Sequence, residues 1–246
     1  MSHSQNSANP AANILRIIAD SISDFLAPRH CVVCSEYTGH SAKYSKFVCD
    51  KCHDNLPFAP DKKLILNRFH SNFPENTHIT EATSLFEVKA DNNYLEIIHA
   101  LKYLKFQSVA GEFGKLLSRR ILIDEMTDYD FIIPIPIHKA KKRERGFNQS
   151  DLICKAVEKE IGIPVADNFV KRHKYTVTQT LLDKSGRQKN MENVFEVTDV
   201  SDTAGKSFLI IDDVLTTGST INSTAKVLLE SGAEKVGAAT IALAGN

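Results

Sequence analysis

Two neighbouring carboxylates, Asp212 and Asp213, follow the apolar run Phe208 to Ile211 and precede Thr216, Thr217, Gly218, Ser219 and Thr220. Adjacent acids at the end of an apolar strand repel each other and lose hydration, so a purely structural role is costly to maintain. Side by side they can accept hydrogen bonds from two neighbouring hydroxyls, such as those of a ribose ring. Gly218 allows the backbone to approach a bound group closely. The hydroxyls of Thr216, Thr217, Ser219 and Thr220, with the amides of a helix N-terminus, make a cradle for a phosphate. One loop can therefore hold a sugar phosphate at both ends. The plainer alternative has Asp213 closing the turn and the threonines capping the next helix. It covers one or two of these residues and leaves the paired acids without a reason.

Three further clusters have chemical potential. Lys139, Lys141, Lys142, Arg143 and Arg145 set five positive charges against Glu144 directly after an apolar strand. Such cations can offset charge on a phosphate or pyrophosphate, and Arg143 and Arg145 can fork onto its oxygens. A solvated face and a nucleic-acid contact stand as alternatives. Arg145 to Gln149 then supplies a turn glycine, an aromatic that either packs under the loop or stacks on a base, and two amides that orient phosphate or cap a helix. The basic segment between Val170 and Phe195 has Arg172, Lys174, Gln179, Arg187 and Asn190 as its polar candidates.

The last cluster is Cys31-x2-Cys34 and Cys49-x2-Cys52, separated by 14 residues. Paired CxxC turns of this spacing place four thiolates in a tetrahedron, the arrangement of a structural zinc site with no position left open for catalysis. His30 and His53 abut the pairs, and Cys154 stands apart as ordinary packing.

Positioning these groups calls for a parallel α/β sheet. Strands are expected over Asp130–Ile137, Ser207–Val214 and Val236–Leu243, apolar without alternation, and helices over 149–161, stopped by Gly162 and Pro164, and about 220–231, stopped by Gly232. Non-alternating strands separated by helices indicate a parallel sheet covered on both faces, which binds ligands at the carboxyl ends of its strands. Upstream, Ile14 to Leu26 reads as an amphipathic packing helix, Tyr94 to Leu104 as a helical pattern, and 109–123 as a second helix. The expected division is a disordered tail over 1–11, an N-terminal helix and zinc module over 12–60, a helical hood or connecting region over 61–128, and the main domain over 129–246.

The whole chain has 246 residues with 30 Lys and Arg against 30 Asp and Glu, 42% hydrophobic and 24% charged. Neutrality argues against a nucleic-acid coat protein, and the composition is that of a folded globular chain. No apolar run reaches the roughly 20 residues of a membrane-spanning helix. The polar N-terminus lacks a secretory signal, and paired cysteines suit a reducing compartment, so a cytoplasmic protein without membrane insertion is expected.

Phe208 to Thr220 resembles the phosphoribosyl-pyrophosphate (PRPP) binding motif of type I phosphoribosyltransferases. The order of CxxC pairs, LysTyrLeuLysPhe at 102–106, ProIleProIleHis at 134–138, ArgGlyPheAsnGln at 145–149, Gln179, Leu181, Leu182, Arg187, Asn190 and the acidic loop resembles the ComF family of competence-associated proteins over roughly residues 28–244. The resemblance implies a type I phosphoribosyltransferase-like sheet with a hood. Asp212 and Asp213 would hold the ribose hydroxyls, and Thr216 to Thr220 the 5′-phosphate. Lys139, Arg143 and Arg145 would face pyrophosphate. Arg172 and Arg187 would lie on a loop that closes over PRPP. A magnesium ion would accompany PRPP, held largely by substrate oxygens and water. The implied reaction is attack of a nitrogen nucleophile at the anomeric carbon with release of pyrophosphate. The competing expectation is a non-catalytic PRPP-sensing or single-stranded-DNA-handling module associated with DNA uptake.

Overall fold

The computed structural model describes residues 30–38, 45–89, 91–103, 107–167, 169–172, 194–198, 200 and 202–245. They belong to two compact units, Met1–Leu56 and Pro57–Asn246. In the first unit the Cys31 amide donates to the Glu36 carbonyl at 2.8 Å and Ser35 donates back to Cys31 at 2.8 Å. This tight knuckle is made possible by a left-handed Ser35 at φ 61°. Helix α1 (Asp50–Asp54) starts directly on Cys49 and buries none of its residues. Among the described residues of this unit the buried apolar side chains are Cys31, Val33, Val48 and Leu56, a small set that a cross-link would reinforce.

The second unit comprises α2 (Lys62–Asn72), β1 (Glu81–Val88), α3 (Leu95–Ala100), α4 (Gln107–Ile123), β2 (Phe131–Pro134), α5 (Lys139–Arg145), α6 (Gln149–Ile161), β3 (Val170–Arg172), β4 (Phe195–Val197), β5 (Ser207–Leu215), α7 (Ser219–Glu230) and β6 (Lys235–Ala244). The main sheet has the order β1-β6-β5-β2 with every pairing parallel. Its two inner strands are buried on both faces, which is why Phe208 to Ile211 is apolar without alternation.

Helix α4 packs on β1 and β6, and α6 on β2 and β5. The two helices meet where a side chain on Gly114 would come within 2.6 Å of Ala156 Cβ. A separate core joins Ile65 and Phe69 of α2, Phe73 just after it, Ile221 and Leu228 of α7 and Phe195 of β4 to Phe208 and Ile210.

Four expectations change. The first strand expected, over 130–137, ends at Pro134, because Pro134 and Pro136 cannot donate to a ladder; β2 is a sheet edge, where proline is tolerated. Residues 61–128, expected as a hood or connection, contribute the strand β1. Its sequence conceals it, since Thr83 and Ser84 are buried and the Ser84 hydroxyl bonds the Thr240 hydroxyl of β6 at 2.6 Å.

The basic run 139–145, expected as a loop, is the helix α5. His138 Nδ1 accepts from the Ala140 amide at 3.2 Å at its start, and Gly146 in the left-handed region ends it at φ 79°. The Val170–Phe195 segment, expected as a loop, begins and ends in the antiparallel pair β3–β4. Residues 173–193, with Lys174, Gln179, Arg187 and Asn190, lie outside the described residues, as do the tail and the 14–26 helix.

Ile210 is fully buried at the centre of the inner strand β5. Ile210→Ala should destabilise the protein by about 2–5 kcal/mol through lost burial and the cavity left behind. Urea unfolding monitored by circular dichroism measures this, and a change within experimental scatter would show that β5 is not the centre of the core.

Candidate functional site

Strand β5 carries Asp212 and Asp213 to the carboxyl end of the sheet. Asp212 Oδ1 accepts two hydrogen bonds from the protein, one from the Ser150 hydroxyl at 3.0 Å and one from the Asp213 amide at 2.9 Å. Burial pushes the Asp212 carboxyl up to about 8, and the charge of Asp213 adds to this; the Asp213 amide, Ser150 and Arg172 oppose it. Burial also raises Asp213, against the pull of Lys102 and Arg145.

Lys141 shows the same electrostatic setting from the other side. Burial lowers its pKa, and so do the charges of Arg145, Arg172 and Lys102. Lys102 and Arg145 thus face Asp213, Arg172 faces Asp212, and Lys141 lies within reach of these three cations, a concentration of positive charge that favours an anionic ligand. Arg172, at the end of β3, is steadied by the Phe195 ring 5.6 Å from its guanidinium carbon.

After β5 the chain turns through Thr216 and Thr217 into Gly218, at φ 81°. A β-carbon there would lie 2.6 Å from Cε1 of Phe69, so both conformation and space demand glycine. Asn72 Nδ2 donates to the Thr217 carbonyl at 3.1 Å, tying the loop to α2. Gly218 is the N-cap of α7 and provides no side-chain cap. The Thr217 and Ser219 hydroxyls bond one another at 2.9 Å, and Thr217 Oγ1 lies 3.4 Å from the Ser219 amide. The hydroxyl groups thus line the start of α7 more than they close it, the geometry of an anion cradle.

The structure brings Asp212, Asp213, Arg145 and Arg172 into one electrostatic cluster, with Thr216, Thr217, Gly218, Ser219 and Thr220 in the loop that follows. Lys139 and Arg143 occupy exposed positions on α5, while Arg187 lies outside the described residues. Phe147 is buried just after α5, as the packing reading of that aromatic requires. Asn148 Nδ2 donates to the Ile135 carbonyl at 3.0 Å and to Asp151 Oδ1 at 2.6 Å, anchoring the end of β2 to α6.

Two contributors are given no role by the sequence. Lys102 opens the LysTyrLeuLysPhe stretch that marks the family resemblance, but its proximity to Asp213 arises only from folding. Ser150 directly follows the ArgGlyPheAsnGln stretch and looks like any hydroxyl at a helix start.

In the first unit the sulfurs of Cys31, Cys34, Cys49 and Cys52 all lie within 4.8 Å of one another. Cys34 Sγ and Cys49 Sγ are 3.7 Å apart, close to the roughly 3.8 Å edge of a tetrahedron with metal–sulfur bonds of about 2.3 Å. Burial raises the Cys31 thiol, but amide donors including Cys49, whose nitrogen lies 3.4 Å from the sulfur, outweigh it and bring the thiol to about 7. Such a set can hold a metal ion. Among the described residues no helix is long and apolar enough to cross a membrane.

Residues 145–246 match the family model of the phosphoribosyl transferase domain. The chain is 29% identical over 214 residues to DNA utilization protein YhgH of Escherichia coli O6:H1, covering 84% of this chain and 86% of that protein. Competence protein ComFC of Bacillus subtilis is 29% identical over 170 residues, 69% of this chain and 61% of that protein. Competence protein F of Haemophilus influenzae is 36% identical over 106 residues, 43% and 46% of the two chains. The solved glutamine PRPP amidotransferase from B. subtilis, complexed with ADP and GMP, gives a TM-score of 0.39 at 18% identity over 55% of this chain and 26% of that one.

The raised Asp212 carboxyl has a consequence for stability. Folded Asp212 keeps its proton up to about pH 8, whereas an unfolded aspartic acid loses it near pH 4. Between these values the unfolded state binds fewer protons, so this residue makes stability fall as pH rises. Asp212→Asn, neutral throughout, should raise the melting temperature more at about pH 8 than at about pH 4. Scanning calorimetry at both pH values checks this, and a larger gain at the acidic value would refute the burial assignment.

Proposed function

Since the chain belongs to the ComF family of phosphoribosyltransferase-like proteins, we propose that it binds PRPP and transfers its phosphoribosyl group to a nitrogen nucleophile, releasing pyrophosphate. The observation that carries this reading is the meeting of a carboxylate pair, a surplus of cations and a glycine-based anion cradle at one sheet end. PRPP presents a complementary group to each. Its ribose hydroxyls suit Asp212 and Asp213, its 5′-phosphate suits the loop of Thr216 to Thr220, and its pyrophosphate suits Lys102, Lys141, Arg145 and Arg172.

Transfer breaks the bond between the anomeric carbon and the pyrophosphate oxygen, and the bond to nitrogen forms. Negative charge grows on the departing pyrophosphate, where these cations lower the barrier. The protein otherwise contributes orientation. Magnesium would further neutralise the pyrophosphate, bound mainly by substrate oxygens and water. Lys139 and Arg143, exposed on α5, would form an outer approach to PRPP.

We assign zinc to Cys31, Cys34, Cys49 and Cys52, whose sulfurs lie close enough together for one ion to cross-link the two CxxC turns. Cysteines paired in a metal-chelating set suit a reducing compartment such as the cytoplasm. A second reading is a PRPP-sensing, single-stranded-DNA-handling role in DNA uptake. The names of the competence and DNA-utilization relatives favour it, together with the exposed Lys139, Lys142 and Arg143 of α5.

Calorimetry with PRPP separates these readings. Asp212→Asn with Asp213→Asn should weaken PRPP at least about tenfold, since each lost hydrogen bond to a ribose hydroxyl is worth roughly 0.5–1.5 kcal/mol, and more where the carboxyl is charged. Arg145→Ala should weaken PRPP far more than ribose 5-phosphate, whereas exposed Arg143→Ala should alter PRPP only slightly. Unchanged affinity in the double variant would defeat the ribose assignment. If α5 serves DNA, replacing Lys139, Lys142 and Arg143 should leave PRPP binding intact. The salt slope for single-stranded DNA should then fall by about 0.7 for each phosphate interaction removed.

Elemental analysis should find one zinc per chain in protein purified without chelators, and Cys49→Ser should lose the metal and lower the melting temperature. Metal-free protein of unaltered stability would remove the zinc assignment.

A further inference from the structure

The two carboxylates of the site are not equivalent. Asp213 faces the charges of Lys102 and Arg145. Asp212 instead has one oxygen, Oδ1, engaged twice by the protein: by the Ser150 hydroxyl at 3.0 Å and by the Asp213 amide at 2.9 Å. Ser150 is 2% exposed, so its hydroxyl has little access to water, and its bond to Asp212 is the interaction that satisfies it. The serine is the second residue of α6, and Asn148, just before that helix, is itself fixed to Ile135 and Asp151. A rigid chain of contacts therefore runs from the end of β2 through the start of α6 to Asp212.

We propose that Ser150 is a positioning residue for sugar recognition: by holding Asp212 Oδ1 it fixes the carboxyl plane so that Oδ2 alone is presented to a ligand hydroxyl. The inference rests on the PRPP reading and deepens it, since neither the sequence motif nor the family match assigns a role to this serine. It also gives the two acids different tasks. Asp212 supplies a single oriented oxygen, and Asp213 supplies the carboxyl balanced by cations. A hydroxyl that donates to a carboxylate also favours its ionised form, so the serine adjusts the proton affinity of Asp212. The groups facing Asp212 are Asp213 on β5, Arg172 on β3, and on α6 Ser150 and the buried Cys154 thiol, which also senses Asp151, Asp167 and Glu158.

The test uses the full chain as wild type, Ser150→Ala and Ser150→Thr, with PRPP, ribose 5-phosphate and pyrophosphate as separate calorimetric ligands. Removing the serine hydroxyl should weaken PRPP and ribose 5-phosphate alike, by about tenfold, because both carry the ribose hydroxyls. Pyrophosphate lacks them, and its binding should be unchanged, which also shows that the variant is folded. Ser150→Thr restores a hydroxyl and should recover most of the affinity. Carbon NMR titration of the Asp212 carboxyl should give a higher midpoint in Ser150→Ala than in wild type, an effect that mere loss of packing would not produce. Wild-type binding of both sugar phosphates with no loss in Ser150→Ala, or equal loss for pyrophosphate, overturns the role of Ser150 alone. Failure of wild type to bind either sugar phosphate overturns the PRPP reading and this inference with it.

Discussion

Placing two neighbouring carboxylates at the end of a strand buried on both faces is the constraint from which the second unit's architecture follows. Burial raises both acids, and the charge of Asp213 raises Asp212 further. Such a pair persists in a fold only when the surroundings compensate, and the compensation here comes from distant parts of the chain. Helix α6 supplies Ser150, β3 supplies Arg172, α5 supplies Arg145, and the turn after α3 supplies Lys102. None of these segments adjoins the acids in sequence. The sheet order β1-β6-β5-β2 brings them there, by putting β5 inside the sheet with β2 and its following helices at its side.

The anion cradle is subject to a second constraint, that of space. Gly218 must be in the left-handed region, and Phe69 of α2 fills the volume a side chain would need. Asn72, one turn further along α2, holds the adjoining carbonyl of Thr217. Asn222, in the first turn of α7, accepts from the His78 amide and donates to the Asn76 carbonyl, at 2.8 Å in each case. The loop is thus clamped from the side of α2 and its following turn. Its orientation is set by packing that forms whether or not a ligand is present, so binding need not order it first.

What was readable in the sequence follows the range of the interaction involved. The acids, Gly218 and the hydroxyls of the cradle lie within one short stretch, and four cysteines in two pairs carry their own spacing; both could be read without a fold. The strand β5 announced itself through four consecutive apolar residues. Strand β1 did not, because Ser84 finds its partner in Thr240, a residue 156 positions away. The basic run at 139–145 was recognisable as chemically active but not as a helix, since its composition shows no apolar face. Only its helical form separates half-buried Lys141 and Arg145 from exposed Lys139 and Arg143. Lys102 and Ser150 were hidden for the same reason as β1: their significance lies in residues that folding brings to them.

The paired acids, the cations that face them and the glycine cradle converge on one claim, that the sheet end around Asp212 and Asp213 is a PRPP site. Titration of the wild-type full chain with PRPP in the presence of magnesium, followed by displacement with pyrophosphate, tests it most directly. The account predicts saturable binding of one PRPP per chain, weakened competitively by pyrophosphate because both compounds engage the cations around Asp213. Absence of saturable binding, or binding that pyrophosphate leaves unaffected, would contradict it.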